Sequence, residues 1–130
     1  MKKRLLAAAA LAVAACLAGC ATTPPPAAKA PAMADAGKLV DAKRITLYTY
    51  DSDKPNTGKS SCYGVCATNW PPFMVEAGGK PNGDFTVVKR DDGGAQWAYK
   101  GWPLYYWPED QEPGDTYGDN YKNVWHIVKP

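Results

Sequence analysis

Seven residues are written twice in this chain, and that repetition limits the folds open to it more than any other feature. Leu47-Tyr48-Thr49-Tyr50-Asp51-Ser52-Asp53 returns as Leu104-Tyr105-Tyr106-Trp107-Pro108-Glu109-Asp110. Both copies read Leu-Tyr-x-aromatic-x-x-Asp. Tyr48 to Tyr105, Tyr50 to Trp107 and Asp53 to Asp110 are all the same 57-residue step, as is Lys43 to Lys100. A fixed step of that size marks two related structural units. At 130 residues the chain has room for one domain, so the two units have to share it.

The local pattern around each copy is that of strands. Ile45 to Tyr50 alternates, with Ile45 and Leu47 on one face and Tyr48 and Tyr50 on the other. Asp51 to Gly58 reads as a turn or loop. Cys62 to Asn69 fits a short helical turn that Pro71-Pro72 would stop. Asp84 to Arg90 is a further strand, closed by the turn signal Asp91-Asp92-Gly93-Gly94. Gln96 to Lys100 follows with Trp97 and Tyr99 on one face, Gly101 breaks it, and Asn123 to Val128 makes a last strand. The fold class is therefore all-β or β-rich: a small single domain of two pseudo-repeats with one short helical turn. Every tryptophan and tyrosine lies after Leu39, and a domain this small needs such large side chains to build a core. The paired aromatics Tyr48/Tyr50 and Tyr105/Trp107 either meet as the core between repeats or stand exposed as a platform for a glycan, peptidoglycan fragment, quinone or protein partner.

The first 38 residues have a different composition. Met1-Lys2-Lys3-Arg4 is a basic start, and Leu5 to Ala18 is an uncharged Ala/Leu-rich run too short for a comfortable membrane span. The run ends in Leu17-Ala18-Gly19-Cys20, which resembles the lipobox of bacterial lipoproteins. That resemblance implies cleavage before Cys20 and acyl chains on it, so residues 1–19 are read as a removed signal peptide and Cys20 as the lipid anchor. An ordinary signal peptide is the alternative. Ala21 after the cysteine, rather than Asp, is similar to lipoproteins sent to the outer membrane and facing the periplasm. Residues 20–38, rich in Pro and Ala and without an apolar period, read as a tether, leaving 39–130 as the folded domain. Losing Lys2, Lys3 and Arg4 takes the balance from 15 basic and 13 acidic residues to 12 and 13, which leaves no footprint for nucleic acid.

The motifs taken together resemble a family of bacterial lipoproteins with a repeated Tyr-x-(Phe/Trp/Tyr)-x-x-Asp motif, known mainly as a secreted repeat of unknown function. The likeness runs through Leu47 to Asp53, Cys62-x-x-x-Cys66-Ala67, Trp70-Pro71-Pro72, Asp92-Gly93 and Gln96 to Gly101. It continues through Pro103-Leu104-Tyr105, Asp110, Gly114-Asp115, Gly118-Asp119 and Val124-Trp125-His126. Lys43-Arg44 and Trp102 depart from the pattern. The family implies an address and a fold rather than a reaction.

Chemistry is sparse. Cys62 and Cys66, four apart on a helical turn, place their Cα atoms about 6 Å apart and suit a disulfide in an oxidising compartment. The sharper reading is a redox or copper-handling protein using Cys62, Cys66 and His126, since thiolates with imidazole suit copper. His126, the only histidine, shares a strand face with Val124 and Val128 and is expected as a hydrogen-bonded core residue. No Ser/His/Asp set is nominated, which puts a hydrolase third. Asp53 and Asp110 are expected to accept backbone N–H groups of their own turns. A calcium reading of Asp51-x-Asp53 lacks the glycine and closing glutamate of an EF-hand loop. The function read from the sequence is a non-enzymatic, lipid-anchored binding or structural module of the cell envelope, without a cofactor, whose partner is an envelope protein or a glycan.

Overall fold

The computed structural model describes residue 19 and residues 28–130; the expected signal segment, Cys20 and the start of the tether lie outside the described residues. The first element is a hairpin, β1 (Ala32–Asp35) on β2 (Lys38–Asp41), turned by Ala36 and Gly37, both at positive φ. This hairpin corrects the tether boundary at Lys38. Ala-Met-Ala-Asp has little strand propensity of its own, but the left-handed turn folds it onto Lys38–Asp41, where Ala32, Leu39 and Val40 are buried.

Next come β3 (Tyr48–Tyr50), helix α1 (Val65–Asn69), β4 (Phe85–Lys89), β5 (Ala95–Tyr99), β6 (Trp102–Pro103) and β7 (Trp125–Ile127). They form three small antiparallel sheets, β1-β2, β3-β7 and β4-β5-β6. Among the described residues the β-rich class and the one short α-helix agree with the alternation and turn signals of the sequence.

The two repeats build matching three-stranded meanders. In the first, Thr46 bridges back to Val40 of the β1-β2 hairpin; in the second, Pro103 of β6 pairs with Ala98 of β5. The meanders meet at the two motif tyrosines. Tyr48 N–H donates to the Tyr105 carbonyl at 2.9 Å and Tyr105 N–H donates to the Tyr48 carbonyl at 3.0 Å. A residue pair that exchanges both bonds has a local two-fold axis running between its members, and the rest of the domain follows that axis. β3 of the first repeat pairs with β7 at the end of the second. Reciprocally, Tyr105 bridges to Pro72 near the end of the first. Each repeat thus lends its last strand to the other, and neither completes its sheet alone.

Alternation along these central strands separates two apolar clusters. Leu47 and Leu104, both fully buried, point into one with Leu39, Phe85, Trp97 and Val128. Tyr48 and Tyr105, equally buried, point into the other with Cys62, Trp70 and Trp125. Burying one leucine fully contributes about 1.5–3 kcal/mol, so the Leu-Tyr dipeptide of each motif anchors both clusters at once.

Candidate functional site

The second cluster holds the site. Four rings lie in a continuous stack: Tyr50 on Trp125 (centroids 4.2 Å, planes 11° apart), Trp125 on Trp70 (3.8 Å, 4°) and Trp70 on Trp107 (4.4 Å, 36°). The order is that of the pseudo-dyad. Tyr50 and Trp107 occupy one motif position, and Trp70 and Trp125 each lie two residues before the partner of the other repeat's motif tyrosine. Tyr48 meets Trp70 edge-on at 5.4 Å, and Tyr105 meets Trp125 edge-on at 5.1 Å. The core reading of the paired aromatics holds for one residue of each pair. Tyr48 and Tyr105 are core, while Tyr50 and Trp107 are half-buried and end the stack.

Behind the stack, the motif aspartates bond across the repeats. Tyr48 OH donates to Asp110 Oδ2, and Tyr105 OH donates to Asp53 Oδ2 at 2.7 Å. The other oxygens, Oδ1, accept the N–H of Tyr117 (2.9 Å) and of Ser61 (2.7 Å). This corrects the expectation that each aspartate accepts backbone N–H groups of its own turn. The backbone donors come seven and eight residues downstream, and the principal partner is the tyrosine of the other copy. Burial, opposed by these hydrogen bonds, raises the carboxyl pKa of both Asp53 and Asp110 above the ordinary aspartate value. Burial and the neighbouring carboxylates push the hydroxyls of Tyr48 and Tyr105 well above the usual phenol range.

The two halves differ in what surrounds the pairs. The Tyr105 oxygen also lies 2.6 Å from Ser60 Oγ, which accepts from the buried Arg90 guanidinium at 3.2 Å. Arg90 further donates to Gln96 Oε1 and the Cys62 carbonyl and forks onto Asp92. Burial opposes its charge, but the Asp92 pair outweighs burial and its pKa stands above the ordinary value. The Tyr48 oxygen instead accepts the N–H of Gly118 at 3.2 Å. A Cβ on Gly118 would stand 2.8 Å from Trp70 and 3.0 Å from Trp107, so glycine lets this loop close over the stack.

Cys62 and Cys66 are joined by a disulfide with Cα atoms 5.2 Å apart. Cys62 is fully buried in the stack's cluster and Cys66 packs at its edge. The bridge staples the start of α1, which has no side-chain cap, and so positions Trp70 just beyond the helix. His126 corrects another expectation: it is half-buried rather than core, with Nε2 2.9 Å from Asp51 Oδ2 and Nδ1 3.2 Å from Asn120 Oδ1. Its strand, β7, pairs with β3, and along its face Val128 is buried while Val124 and His126 are half-buried. Among the described residues no cluster of His, Cys, Asp and Glu is arranged to hold a metal, and the copper set Cys62, Cys66 and His126 is not brought together. No helix among them is long and apolar enough to cross a membrane.

Around the exposed rim of the stack runs a groove of about 370 Å³, lined by Tyr50, Trp70, Trp107, Tyr121 and Trp125 with Asn69 and Lys122 as polar members. Tyr121, 40% exposed, leans on Trp70 and Trp107. Asn120, Lys122 and Asn123 beside it all carry positive φ, a conformation that costs side-chain-bearing residues energy and that clusters at functional sites. Trp70, Trp125 and Tyr121 were not nominated by the motif. The sequence signal for the two tryptophans is a 55-residue step, hidden because it differs from the 57 of the motif.

No curated protein and no solved structure matches this chain. A family profile does match, twice, at residues 32–74 and 86–129. These are the two units that the pseudo-dyad relates. On that match, which spans both meanders and both copies of the Tyr-x-aromatic-x-x-Asp motif, the chain belongs to the family described as a secreted repeat of unknown function.

Proposed function

We propose that this protein is a non-enzymatic binding module of the cell envelope, held at a membrane by acyl chains on Cys20 and engaging a glycan at the aromatic groove. The observation that carries the reading is the four-ring stack, whose two ends, Tyr50 and Trp107, lie half-buried in a groove the size of a small-ligand site. The C–H face of a sugar ring stacks on such aromatic faces, while Asn69 and Lys122 offer donors to its oxygens. A secreted family and a lipobox-like Cys20 are consistent with an envelope address at the outer membrane, facing the periplasm. Among the residues lining the groove no nucleophile has a carboxylate or imidazole base beside it, which favours binding over catalysis.

The test is co-sedimentation of the purified protein with isolated peptidoglycan sacculi, together with intrinsic tryptophan fluorescence titrated with soluble peptidoglycan fragments. Retention and a fluorescence change are expected for the wild type, and both are lost in Tyr50→Ala and Tyr121→Ala but kept in Met33→Ala, exposed on β1. Retention unchanged by the groove variants would remove the glycan reading. For the anchor, Cys20→Ser is expected to release the protein from the membrane fraction.

A further inference from the structure

We propose that the stack and its two Tyr–Asp pairs form a relay for oxidising equivalents: an electron removed at Trp107 is replaced, ring by ring, from Tyr48 or Tyr105. This is independent of whether the groove takes a ligand.

Three observations carry it. First, the four rings form an unbroken path with centroids 3.8 to 4.4 Å apart, two contacts face to face and the Trp70–Trp107 contact tilted, and both ends of that path are half-buried. Indole and phenol are among the most readily oxidised of ordinary side chains, and neighbouring rings in van der Waals contact exchange an electron readily. Second, a buried tyrosine touches each inner tryptophan edge-on, Tyr48 at Trp70 and Tyr105 at Trp125. Third, each of those hydroxyls already points its single proton at a carboxylate. A phenol cannot hold a radical cation, because its oxidised form is a strong acid. Its oxidation needs a base in place to take the proton. Asp110 and Asp53 are such bases, buried and aligned, and their second oxygens are held by backbone N–H groups so that Oδ2 stays aimed at the phenol.

The step balances as follows. A diffusible one-electron oxidant takes one electron from Trp107, the end of the stack that can carry the vacancy without losing a proton, and is itself reduced by one electron. The vacancy passes along the stack to Trp125 or Trp70. Tyr105 then gives one electron to Trp125 and its hydroxyl proton to Asp53 Oδ2, or Tyr48 gives one electron to Trp70 and its proton to Asp110 Oδ2. What remains is a neutral tyrosyl radical hydrogen-bonded to a carboxylic acid. A one-electron reductant reverses the sequence, the proton returning from the aspartate to the phenolic oxygen. No heavy-atom bond is made or broken. Because the radical rests on a fully buried ring, it is kept from coupling with a second chain.

The experiment uses the full-length protein in detergent micelles, with a photo-oxidised ruthenium polypyridyl complex as the one-electron oxidant. Freeze-quenched electron paramagnetic resonance, with ring-deuterated tyrosine to separate tyrosyl from tryptophanyl signals, identifies where the vacancy settles. A tyrosyl radical is expected in the wild type and in Tyr117→Phe, which alters an exposed ring outside the stack. The Tyr48→Phe/Tyr105→Phe variant, which keeps every ring, is expected to lose that signal and show a tryptophanyl radical. Asp53→Asn/Asp110→Asn, which keeps the phenols but removes the proton acceptors, is expected to lose it too. An undiminished tyrosyl signal in either double variant would overturn the relay. So would dityrosine-linked dimers as the main wild-type product, a result read without any substitution and so untouched by misfolded variants.

Discussion

The reciprocal Tyr–Asp bonds make a sharp prediction about which pairs of substitutions are coupled. Tyr105→Phe removes a hydroxyl bonded to Asp53 at 2.7 Å and beside Ser60 at 2.6 Å, in a place where Tyr105 is wholly buried and Asp53 is 3% exposed. A hydrogen bond to a charged group contributes about 1.5–3 kcal/mol, and the carboxylate left behind loses one of its two buried donors. The loss should be about 2–3 kcal/mol. For a domain near 100 residues each kcal/mol lowers the midpoint by about 4–8 °C, so the change is easily measured. Asp53→Asn should cost a similar amount, since the amide cannot accept from both the phenol and the Ser61 N–H in the same way.

A double-mutant cycle by urea denaturation then distinguishes exchange between repeats from closure within each. Tyr105→Phe with Asp53→Asn, members of different copies, should show a coupling of about 1.5–3 kcal/mol, because the second change no longer breaks a bond that the first has already removed. Tyr48→Phe with Asp110→Asn should behave alike. The pairs inside one copy, Tyr48 with Asp53 and Tyr105 with Asp110, share no hydrogen bond and should add within about 0.5 kcal/mol. Coupling concentrated in the within-copy pairs, or absent from all four, would refute the reciprocal arrangement and with it the pseudo-dyad.

The remaining predictions concern the stack and its supports. Replacing Cys62 and Cys66 by alanine opens a five-residue loop and should cost about 2 kcal/mol by chain entropy, with a loss of near-ultraviolet dichroism as Trp70 comes free of its staple; unaltered tryptophan dichroism would contradict that role. Gly118→Ala drives a methyl group to 2.8 Å from Trp70 and should destabilise by about 1–3 kcal/mol, so a neutral midpoint would show that the loop does not close on the stack as described. On pH, Asp53 and Asp110 are raised by burial, so their contribution to stability is fully present below the ordinary value of 3.8 and is lost as pH rises through their higher folded-state values. Asp35 and Asp92, lowered by hydrogen bonds from Arg44 and Arg90, act in the opposite sense, their contribution present above 3.8 and lost as pH falls through their folded-state values, and they are exposed enough to count for little. Urea midpoints across mildly acid pH should therefore fall toward neutrality in the wild type and flatten in Asp53→Asn/Asp110→Asn; parallel curves would exclude these two carboxyls as the source.

What could be read without coordinates was whatever one strand or one turn decides. Alternation placed Leu47 and Tyr48 on opposite faces, and they enter opposite clusters. Cys62 and Cys66, an i,i+4 pair, are bonded. What could not be read was how the two copies connect. A repeat of Tyr and Asp has the same spacing whether each tyrosine bonds its own aspartate or the other one, and only the antiparallel meeting of Tyr48 and Tyr105 selects the second. The stack was hidden for a related reason. Trp70 and Trp125 are equivalent in space, but the segments joining them to their motifs differ in length by two residues, so their step falls out of register with the motif. His126 misled because alternation puts it on one side with Val124 and Val128, but the core covers that side at Val128 and only half covers it at Val124 and His126.

The balance of likeness and difference between the copies follows from the axis itself. Residues on or beside it face their own counterparts, so one geometry has to be satisfied twice, and Leu, Tyr and Asp recur unchanged there. Away from it, each position meets a different neighbour. Tyr50 becomes Trp107, Ser60 and Arg90 support Tyr105 where Gly118 supports Tyr48, and the disulfide braces Trp70 while β7 alone carries Trp125. The groove takes its polar members, Asn69 and Lys122, from the matching segments before Trp70 and Trp125 but from different places in them, one residue before Trp70 and three before Trp125. The symmetric residues thus explain why two copies fold as one domain, and selectivity for any ligand has to come from the asymmetric rim, which is why exchanging Tyr50 and Trp107 should disturb binding far more than it disturbs the fold.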